Sequence, residues 1–150
     1  MAHTFTCLYF HVVFGTRLRR QLIAAEIRPR LWSYMGGIAR ENNCRALTIG
    51  GMSDHTHLLL SMNPAIALAD ALKQIKAVSS GWMTKLTRND FKWQEGYAAF
   101  TVSLSNLDSV KHYIEHQEEH HRKIVSPPNG NSCWRSTASY CPCVKSSRNS

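Results

Sequence analysis

The sequence lacks any apolar run close to the ~20 residues that a bilayer-spanning helix requires. Its 150 residues are about the size of one ordinary domain. Residues 1–15 are fairly apolar but contain no basic n-region, so they do not resemble a signal peptide. We therefore expect a single domain that is not inserted in a membrane.

A regular cysteine pattern is also missing. The five cysteines are odd in number and irregularly spaced, which argues against a disulfide framework and favours a reducing cytoplasm. Cys141 and Cys143 form a C-x-C pair, but no second pair is present to complete a zinc site. We predict neither disulfides nor structural zinc.

Acidic residues are scarce relative to basic ones. Ten Asp and Glu face eighteen Lys and Arg, which gives a formal charge of +8. Such an excess favours an acidic polymer as the partner, most often a nucleic acid. The alternative is that the charge serves solubility alone, and charge by itself does not decide between the two.

Hydrophobic spacing predicts the element order β-α-β-β-α-β-α. The predicted elements lie within residues 5–14, 22–43, 44–52, 55–62, 65–86, 91–103 and 105–124. Pro29 either kinks the first helix or marks its true start, and Ser105 or Asn106 can cap the last one. This order predicts an α+β sandwich of the ferredoxin-like or RRM-like kind, with a central antiparallel sheet and helices on one face.

The end of the chain has a different composition. Residues 126–150 are rich in Pro, Gly, Ser and Asn and show no periodicity. We predict a poorly ordered tail there, which leaves residues 1–125 as the folded domain.

The stretch "DHTHLLL" carries a pair of histidines at strand spacing. In a strand, His55 and His57 point to one face and Thr56 to the other, and the two imidazoles lie roughly 6 to 7 Å apart. Together they can bind one divalent ion. Leu58 and Leu60 share the face of Thr56, which we expect to be the buried one. The alternative, two exposed histidines on a sheet, is the commoner explanation of an isolated H-x-H.

The last predicted helix carries a second cluster of polar residues. Tyr113 and Gln117 are four residues apart and therefore share a helical face. The helix also contains His112, His116, His120 and His121, together with Glu115, Glu118 and Glu119. The alternative is a solvated polar helix with Tyr113 at the edge of the core.

Taken together, "DHTHLLL" and "HYIEHQEEHHRK" resemble the motifs of the HUH-class single-tyrosine transposases of the insertion-sequence 200 type, which include the REP-associated tyrosine transposases. The opening "YFHVVFGTRLRRQLI" and the blocks "LKQIKAVSSGWM" and "WQEGYAAFTVS" are similar to the family in position and type. The resemblance covers roughly residues 5–124. Thr56 stands where the family usually has a bulky hydrophobic residue, and the segment after Val125 departs from the family pattern.

The resemblance implies a role for each matching residue. Tyr113 would be the nucleophile, and His55, His57 and Gln117 would be ligands of Mg²⁺ or Mn²⁺. The substrate would be single-stranded DNA with hairpins, cut and rejoined through a 5′-phosphotyrosine. It also implies a homodimer, since two DNA ends need two tyrosines, and a bacterial cytoplasmic, nucleoid-associated location.

Basic and aromatic side chains add candidates for DNA contacts. The candidates for phosphate contacts are Arg17, Arg19, Arg20, Lys73 and Lys76, and ordinary surface charge is the alternative for each. Trp82, Trp93 and Tyr97 either stack on bases or belong to the core.

Two other functions stay open at the level of the sequence. One is a non-catalytic module that binds DNA or RNA on the same sheet. The other is a metal-dependent phosphoesterase in which Tyr113 only packs against the core.

Overall fold

One four-stranded antiparallel sheet forms the centre of the fold. The computed structural model describes residues 3–117 and residue 119. The strands are β1 (Tyr9–Gly15), β2 (Arg45–Gly51), β3 (His55–Ser61) and β4 (Ala98–Val102). They lie in the order β2-β3-β1-β4 with every neighbouring pair antiparallel. This confirms the predicted α+β class and the antiparallel sheet.

In the described part of the chain, three helices pack against the sheet, of which the first two connect strands and the third follows β4. They are α1 (Arg28–Glu41), α2 (Leu68–Thr87) and α3 (Leu107–Glu115), and 3-10 turns lie at Arg17–Arg19 and Leu104–Asn106. Pro29 lies in the first turn of α1, so it marks the true start of the helix, where its fixed φ suits the backbone. The predicted helical residues 22–27 therefore precede the helix. Asn106 is the N-cap of α3, although its side chain makes no capping hydrogen bond.

The face of the sheet that carries Thr56 packs against α1 and α2. Val12, Phe14, Leu58 and Leu60 form the main core on this side, as the alternation along β3 predicts. The hydroxyl of Thr56 donates a hydrogen bond to the carbonyl of Gly50 over 3.1 Å. The polar residue at this position is thus accommodated, because its one donor is satisfied.

The opposite face is covered by α3. Leu59 packs there with Val110, Tyr113 and Ile114, which recur at helical spacing along α3. The expectation of helices on one face therefore holds for α1 and α2 but does not include α3. The reason is that α3 has an apolar stripe of its own, which needs a surface to cover. Both faces of β3 are buried as a result.

A glycine permits the close approach of α3 to the sheet. A Cβ atom added at Gly50 of β2 would collide with the carbonyl oxygen of Ile114. Only a residue without a side chain fits at this contact. Because Ile114 directly follows Tyr113, the close contact at Gly50 also brings the tyrosine near the sheet.

We predict that Gly50→Ala destabilises the fold by roughly 1–3 kcal/mol, the usual cost of overpacking, and pushes α3 away from the sheet. Urea unfolding followed by circular dichroism measures the change. Gly81→Ala is the matched control, because a Cβ there meets no heavy atom within 4 Å. Because Gly81 lies in the middle of α2, alanine at this position should stabilise the fold by up to about 1 kcal/mol. Equal effects of the two substitutions on stability would contradict the close contact between Gly50 and the backbone of α3.

Several predictions fall partly or wholly outside the described residues. The predicted tail, residues 126–150, lies outside them, as does the end of the predicted last helix. Within the described part, Cys7 and Cys44 are free thiols, and no helix there has the length and apolarity to cross a bilayer.

Candidate active site

His55 and His57 lie side by side on the face of β3 that α3 covers. Their ring centroids are 5.1 Å apart and the rings are inclined by 76°. They are only 2% and 0% exposed. The alternative of two solvent-exposed histidines on an open sheet therefore does not hold. A pair of buried imidazoles requires polar partners, and both have them.

The partner of His55 is the carboxylate of Asp54. Its Oδ1 lies 2.7 Å from Nδ1 of His55, and its Oδ2 lies 3.2 Å from Nη2 of Arg19. Burial acts to raise the pKa of Asp54, but the hydrogen bond and charge interaction with His55, together with the charge of Arg19, bring it below the ordinary value. The ionised carboxylate can only accept, so His55 donates its Nδ1 proton to it, and the neutral form of that ring then carries its lone pair on Nε2.

The loop that presents Arg19 has an unusual backbone. Leu18 and Arg19 both adopt left-handed conformations, with φ of 58° and 54°, which is unfavourable for residues with a Cβ. The hydroxyl of buried Thr16 donates to the carbonyl of Arg20 over 2.6 Å. The hydrogen bond of Thr16 and the ion pair with Asp54 compensate for this strain.

The partner of His57 is a third histidine, His11, in the middle of β1. Nε2 of His11 lies 2.9 Å from Nδ1 of His57, and the side chain is 1% exposed. Burial lowers the pKa of His11 to about 4, so this ring is neutral near pH 7. Its ring centroid is also 6.2 Å from that of Tyr113.

Tyr113 of α3 packs directly against the imidazole pair. Its ring centroid is 5.7 Å from that of His57, with the two rings inclined by 82°. The side chain is 8% exposed. Burial raises the pKa of Tyr113, and a hydrogen bond with the side chain of Gln117 opposes that shift only in part. The phenol is therefore protonated near neutral pH.

Gln117 follows the turn at His116 that ends α3. Its Nε2 donates a hydrogen bond to the carbonyl of Tyr113 over 3.2 Å, and the residue is 2% exposed. Its Oε1 is buried and makes no hydrogen bond among the described residues. The amide oxygen is therefore a polar atom whose burial calls for a further partner.

These side chains provide a donor set that fits a divalent cation. Nε2 of His55 and Nε2 of His57 are buried, and each ring makes a polar contact through its Nδ1 atom. Residues 3–117 and 119 contain no group of three His, Cys, Asp or Glu placed to hold a metal. Among the described residues, the third buried polar atom of this cluster is the amide oxygen of Gln117. Two imidazole nitrogens and one amide oxygen suit an ion that accepts both nitrogen and oxygen ligands, such as Mn²⁺.

The five basic residues predicted to contact phosphates fall into two groups. Arg17, Arg20 and Lys73 are exposed. Arg19 binds Asp54, and the ammonium group of Lys76 donates to the carbonyls of Gln94 and Gly96 over 2.7 and 2.8 Å. Arg19 and Lys76 thus have structural contacts of their own, and DNA binding by all five stays a prediction.

The three aromatic candidates for base stacking also differ. Trp93 belongs to the core, since it is 7% exposed and its indole N–H donates to Oγ of Ser79 over 2.9 Å. Trp82 is half-buried and stacks on Tyr34 at 4.8 Å between centroids. Tyr97 is 39% exposed and is the most accessible of the three.

Sequence reasoning assigned no role to Asp54 or His11. Asp54 precedes His55 directly, so its proximity could have been read from the sequence. His11 is 46 residues away from His57 along the chain. Its contact depends on the antiparallel register of β1 and β3, in which Val13 pairs with His57, and no local pattern reveals that register.

Replacing Asp54 by asparagine is expected to weaken Mn²⁺ binding roughly 10–100-fold, the usual cost of losing a group that orients a metal-binding histidine. Asparagine keeps the shape but loses the charge that holds the Nδ1 proton of His55. Calorimetric titration of the full chain with Mn²⁺ measures the loss. Asp90→Asn is the control, since Asp90 is exposed and pairs only loosely with Lys92 at 3.7 Å. Unchanged affinity in Asp54→Asn would contradict this role.

Comparison with known sequences gives a family match over most of the chain. Residues 4–117 match the family described as "Transposase IS200 like". The chain is similar to the ISDra2 transposase TnpA of Deinococcus radiodurans, with 30% identity over 120 residues, covering 75% of this chain and 85% of that protein. It is equally similar to the transposase for insertion sequence element IS200 of Salmonella typhimurium, with 30% identity over 126 residues, 79% of this chain and 82% of that protein.

Solved structures resemble the fold as well. A crystal structure of a candidate transposase from Deinococcus radiodurans R1 matches with a TM-score of 0.64 at 25% identity, covering 78% of this chain and 95% of that chain. A REP-associated tyrosine transposase bound to a REP hairpin matches with a TM-score of 0.60, covering 92% and 84%. At 13% identity, the second match concerns the fold alone.

Proposed function

The chain belongs to the family of IS200-like transposases, and on that premise we propose that it cuts and rejoins single-stranded DNA through a covalent bond to Tyr113. One observation carries this proposal. The phenol of α3 packs 5.7 Å, between ring centroids, from an imidazole of the buried pair on β3. A nucleophile and a candidate cation site therefore share one cluster, as tyrosine-based strand cleavage requires.

In the proposed reaction, the phenolic oxygen of Tyr113 attacks the phosphorus of a phosphodiester. The bond between phosphorus and the 3′ oxygen breaks, and its electron pair leaves with the 3′ oxygen, which takes up a proton. Burial keeps the phenol protonated beforehand, so it loses its proton as the new bond forms; because the departing 3′ oxygen gains a proton, the step neither consumes nor releases a net proton. The product is a 5′-phosphotyrosine, and another 3′-hydroxyl can reverse the step and join a new strand without ATP.

His55, His57 and Gln117 would hold Mg²⁺ or Mn²⁺ at this site. When bound, the ion supplies Lewis-acid polarisation of the phosphate and stabilises the charge that develops on it. The chain contributes orientation: Asp54 fixes the ring of His55, and the amide of Gln117 is tied to the carbonyl of Tyr113.

We propose single-stranded DNA with hairpins as the substrate. The formal charge of +8 and the exposed Arg17, Arg20 and Lys73 support a phosphate backbone as the ligand. Arg19 and Lys76 would contact the phosphate backbone while keeping their contacts with Asp54 and with the carbonyls of Gln94 and Gly96. Because Tyr113 is 8% exposed, the proposal requires α3 to shift when DNA enters.

We also propose that residues 1–125 form the catalytic domain and that the protein acts in the bacterial cytoplasm, at the nucleoid. We further propose that it acts as a homodimer. One Tyr113 per chain can hold one DNA end, whereas excision of an element involves two ends. Light scattering after size exclusion tests this. A protein that stays monomeric while it completes strand transfer would contradict the dimer.

The experiment for the proposed function uses the full chain and a labelled hairpin oligonucleotide with Mn²⁺. We expect a protein–DNA adduct that survives a denaturing gel and that does not form in EDTA. DNA binding without any adduct would favour a non-catalytic binding module instead. Cut DNA without an adduct would favour a phosphoesterase in which Tyr113 only packs.

A further inference from the structure

His11 makes a contact that the proposed chemistry leaves unexplained. It is a fully buried histidine, 1% exposed, with Nε2 placed 2.9 Å from Nδ1 of His57. The two rings are stacked, with centroids 5.2 Å apart and planes inclined by 27°. Imidazole is an uncommon choice for purely apolar filling, because both of its nitrogens need partners in the interior.

The hydrogen bond between two imidazoles has two possible directions, and they have opposite consequences. If Nδ1 of His57 donates to Nε2 of His11, the lone pair of His57 lies on its Nε2. If Nε2 of His11 donates instead, His57 must carry its own proton on Nε2, and that atom cannot bind a cation. The choice of direction therefore decides whether His57 can serve as a ligand.

Resting on the proposed function, we propose that His11 is a positioning residue that accepts the Nδ1 proton of His57 and so holds its Nε2 lone pair toward the cation. Asp54 plays the same part for His55 through its carboxylate. The two ligands would thus be oriented by different groups, one charged and one neutral. His11 also lies against Tyr113, at 6.2 Å between ring centroids, so a single side chain contacts both the candidate ligand and the candidate nucleophile.

The test compares two substitutions of His11 in the full chain. His11→Phe keeps a ring but has no acceptor, whereas the amide oxygen of His11→Gln reaches about as far as Nε2. Titration with Mn²⁺ alone, followed by electron paramagnetic resonance, measures affinity without DNA or turnover. We expect His11→Phe to bind Mn²⁺ roughly 10–100-fold more weakly and His11→Gln to recover most of that loss.

A second readout reports the tautomer itself. Nitrogen-15 NMR of histidine-labelled, metal-free protein shows which nitrogen of His57 carries the proton, with the signal assigned from His57→Ala. We expect Nδ1 protonation in the wild type and in His11→Gln, and a shift toward Nε2 protonation in His11→Phe. A role in packing alone would leave the tautomer of His57 unchanged.

The outcomes separate this inference from the proposed function. A folded His11→Phe that binds Mn²⁺ as tightly as the wild type overturns the role of His11, and so does a wild-type His57 protonated on Nε2. A wild-type chain that does not bind Mn²⁺ at all contradicts the metal-dependent function instead. In that case the tautomer of His57 still decides whether His11 acts as the acceptor.

Discussion

Replacing Tyr113 by phenylalanine is expected to abolish the covalent protein–DNA adduct and to reduce strand cleavage by roughly a thousandfold or more, the scale of loss when a nucleophile is removed. The substitution deletes one oxygen atom and keeps the ring that packs against His57 and Val110. The fold and the affinity for hairpin DNA should therefore change little. A denaturing gel with end-labelled oligonucleotide measures adduct and cleavage together.

Tyr97→Phe is the matched control for this prediction. Tyr97 is 39% exposed and lines a pocket with Leu72 and Lys76 of α2, on the other face of the sheet from the imidazole pair, so losing its hydroxyl should leave adduct formation unchanged. If Tyr113→Phe still formed the adduct at the wild-type rate, another residue would have to be the nucleophile. If cleavage persisted without an adduct, a phosphoesterase mechanism would explain the data better.

The second large effect is expected from His57→Ala. The proposal makes this imidazole a ligand, so the substitution should weaken Mn²⁺ binding beyond detection in the micromolar range. Cleavage should then fall by roughly a thousandfold, since a bound ion supplies several kcal/mol of transition-state stabilisation and about 1.4 kcal/mol corresponds to each factor of ten. Calorimetry with Mn²⁺ and the cleavage assay provide independent measurements.

His112→Ala controls for the loss of a histidine as such. His112 is exposed on α3, and its ring packs on His116 at 3.9 Å between centroids. The His112→Ala variant should bind Mn²⁺ at the imidazole pair and cleave DNA as the wild type does. Because His57→Ala also removes the partner of His11, circular dichroism must establish that it is folded. A folded His57→Ala with unchanged Mn²⁺ affinity and cleavage would remove this residue from the site.

The fold was largely predictable because its patterns are local. Alternation along β3 placed Leu58 and Leu60 in the core together with Thr56, and the structure confirms that face. Pro29 left two possibilities, and the structure places it in the first turn of α1, where its fixed φ suits the helix. The strand predicted from residue 5 begins at Tyr9, where its register with β3 and β4 starts. Before it, the carbonyl of Leu8 still accepts a hydrogen bond from the backbone N–H of Met62, whereas Phe5 is 90% exposed.

The position of α3 could not be predicted from spacing alone. Its stripe of Val110, Tyr113 and Ile114 indicates a buried face, but the stripe does not state which side of the sheet it covers. That choice depends on Gly50, where the absence of a side chain admits the backbone of α3. A contact between residues far apart in the chain has no signature at either position.

In the candidate site, too, residues with a characteristic spacing were predicted, whereas residues placed by tertiary contacts were not. The sequence and the family resemblance named His55, His57, Tyr113 and Gln117, and the structure gathers them, while their catalytic roles stay predictions. The groups that orient the two imidazoles were missed. Asp54 is adjacent in sequence, whereas His11 becomes visible only through the pairing of β1 with β3. Orienting partners are set by tertiary geometry, so they are harder to predict than ligands with a characteristic spacing.

The most direct test of the account is a peptide map of the covalent adduct. The full chain is incubated with hairpin DNA and Mn²⁺, digested with nuclease and trypsin, and analysed by mass spectrometry. We expect a nucleotide 5′-phosphate attached to Tyr113 and a free 3′-hydroxyl on the released strand. DNA that is cut while Tyr113 remains unmodified, or that is attached to any other residue, would contradict it.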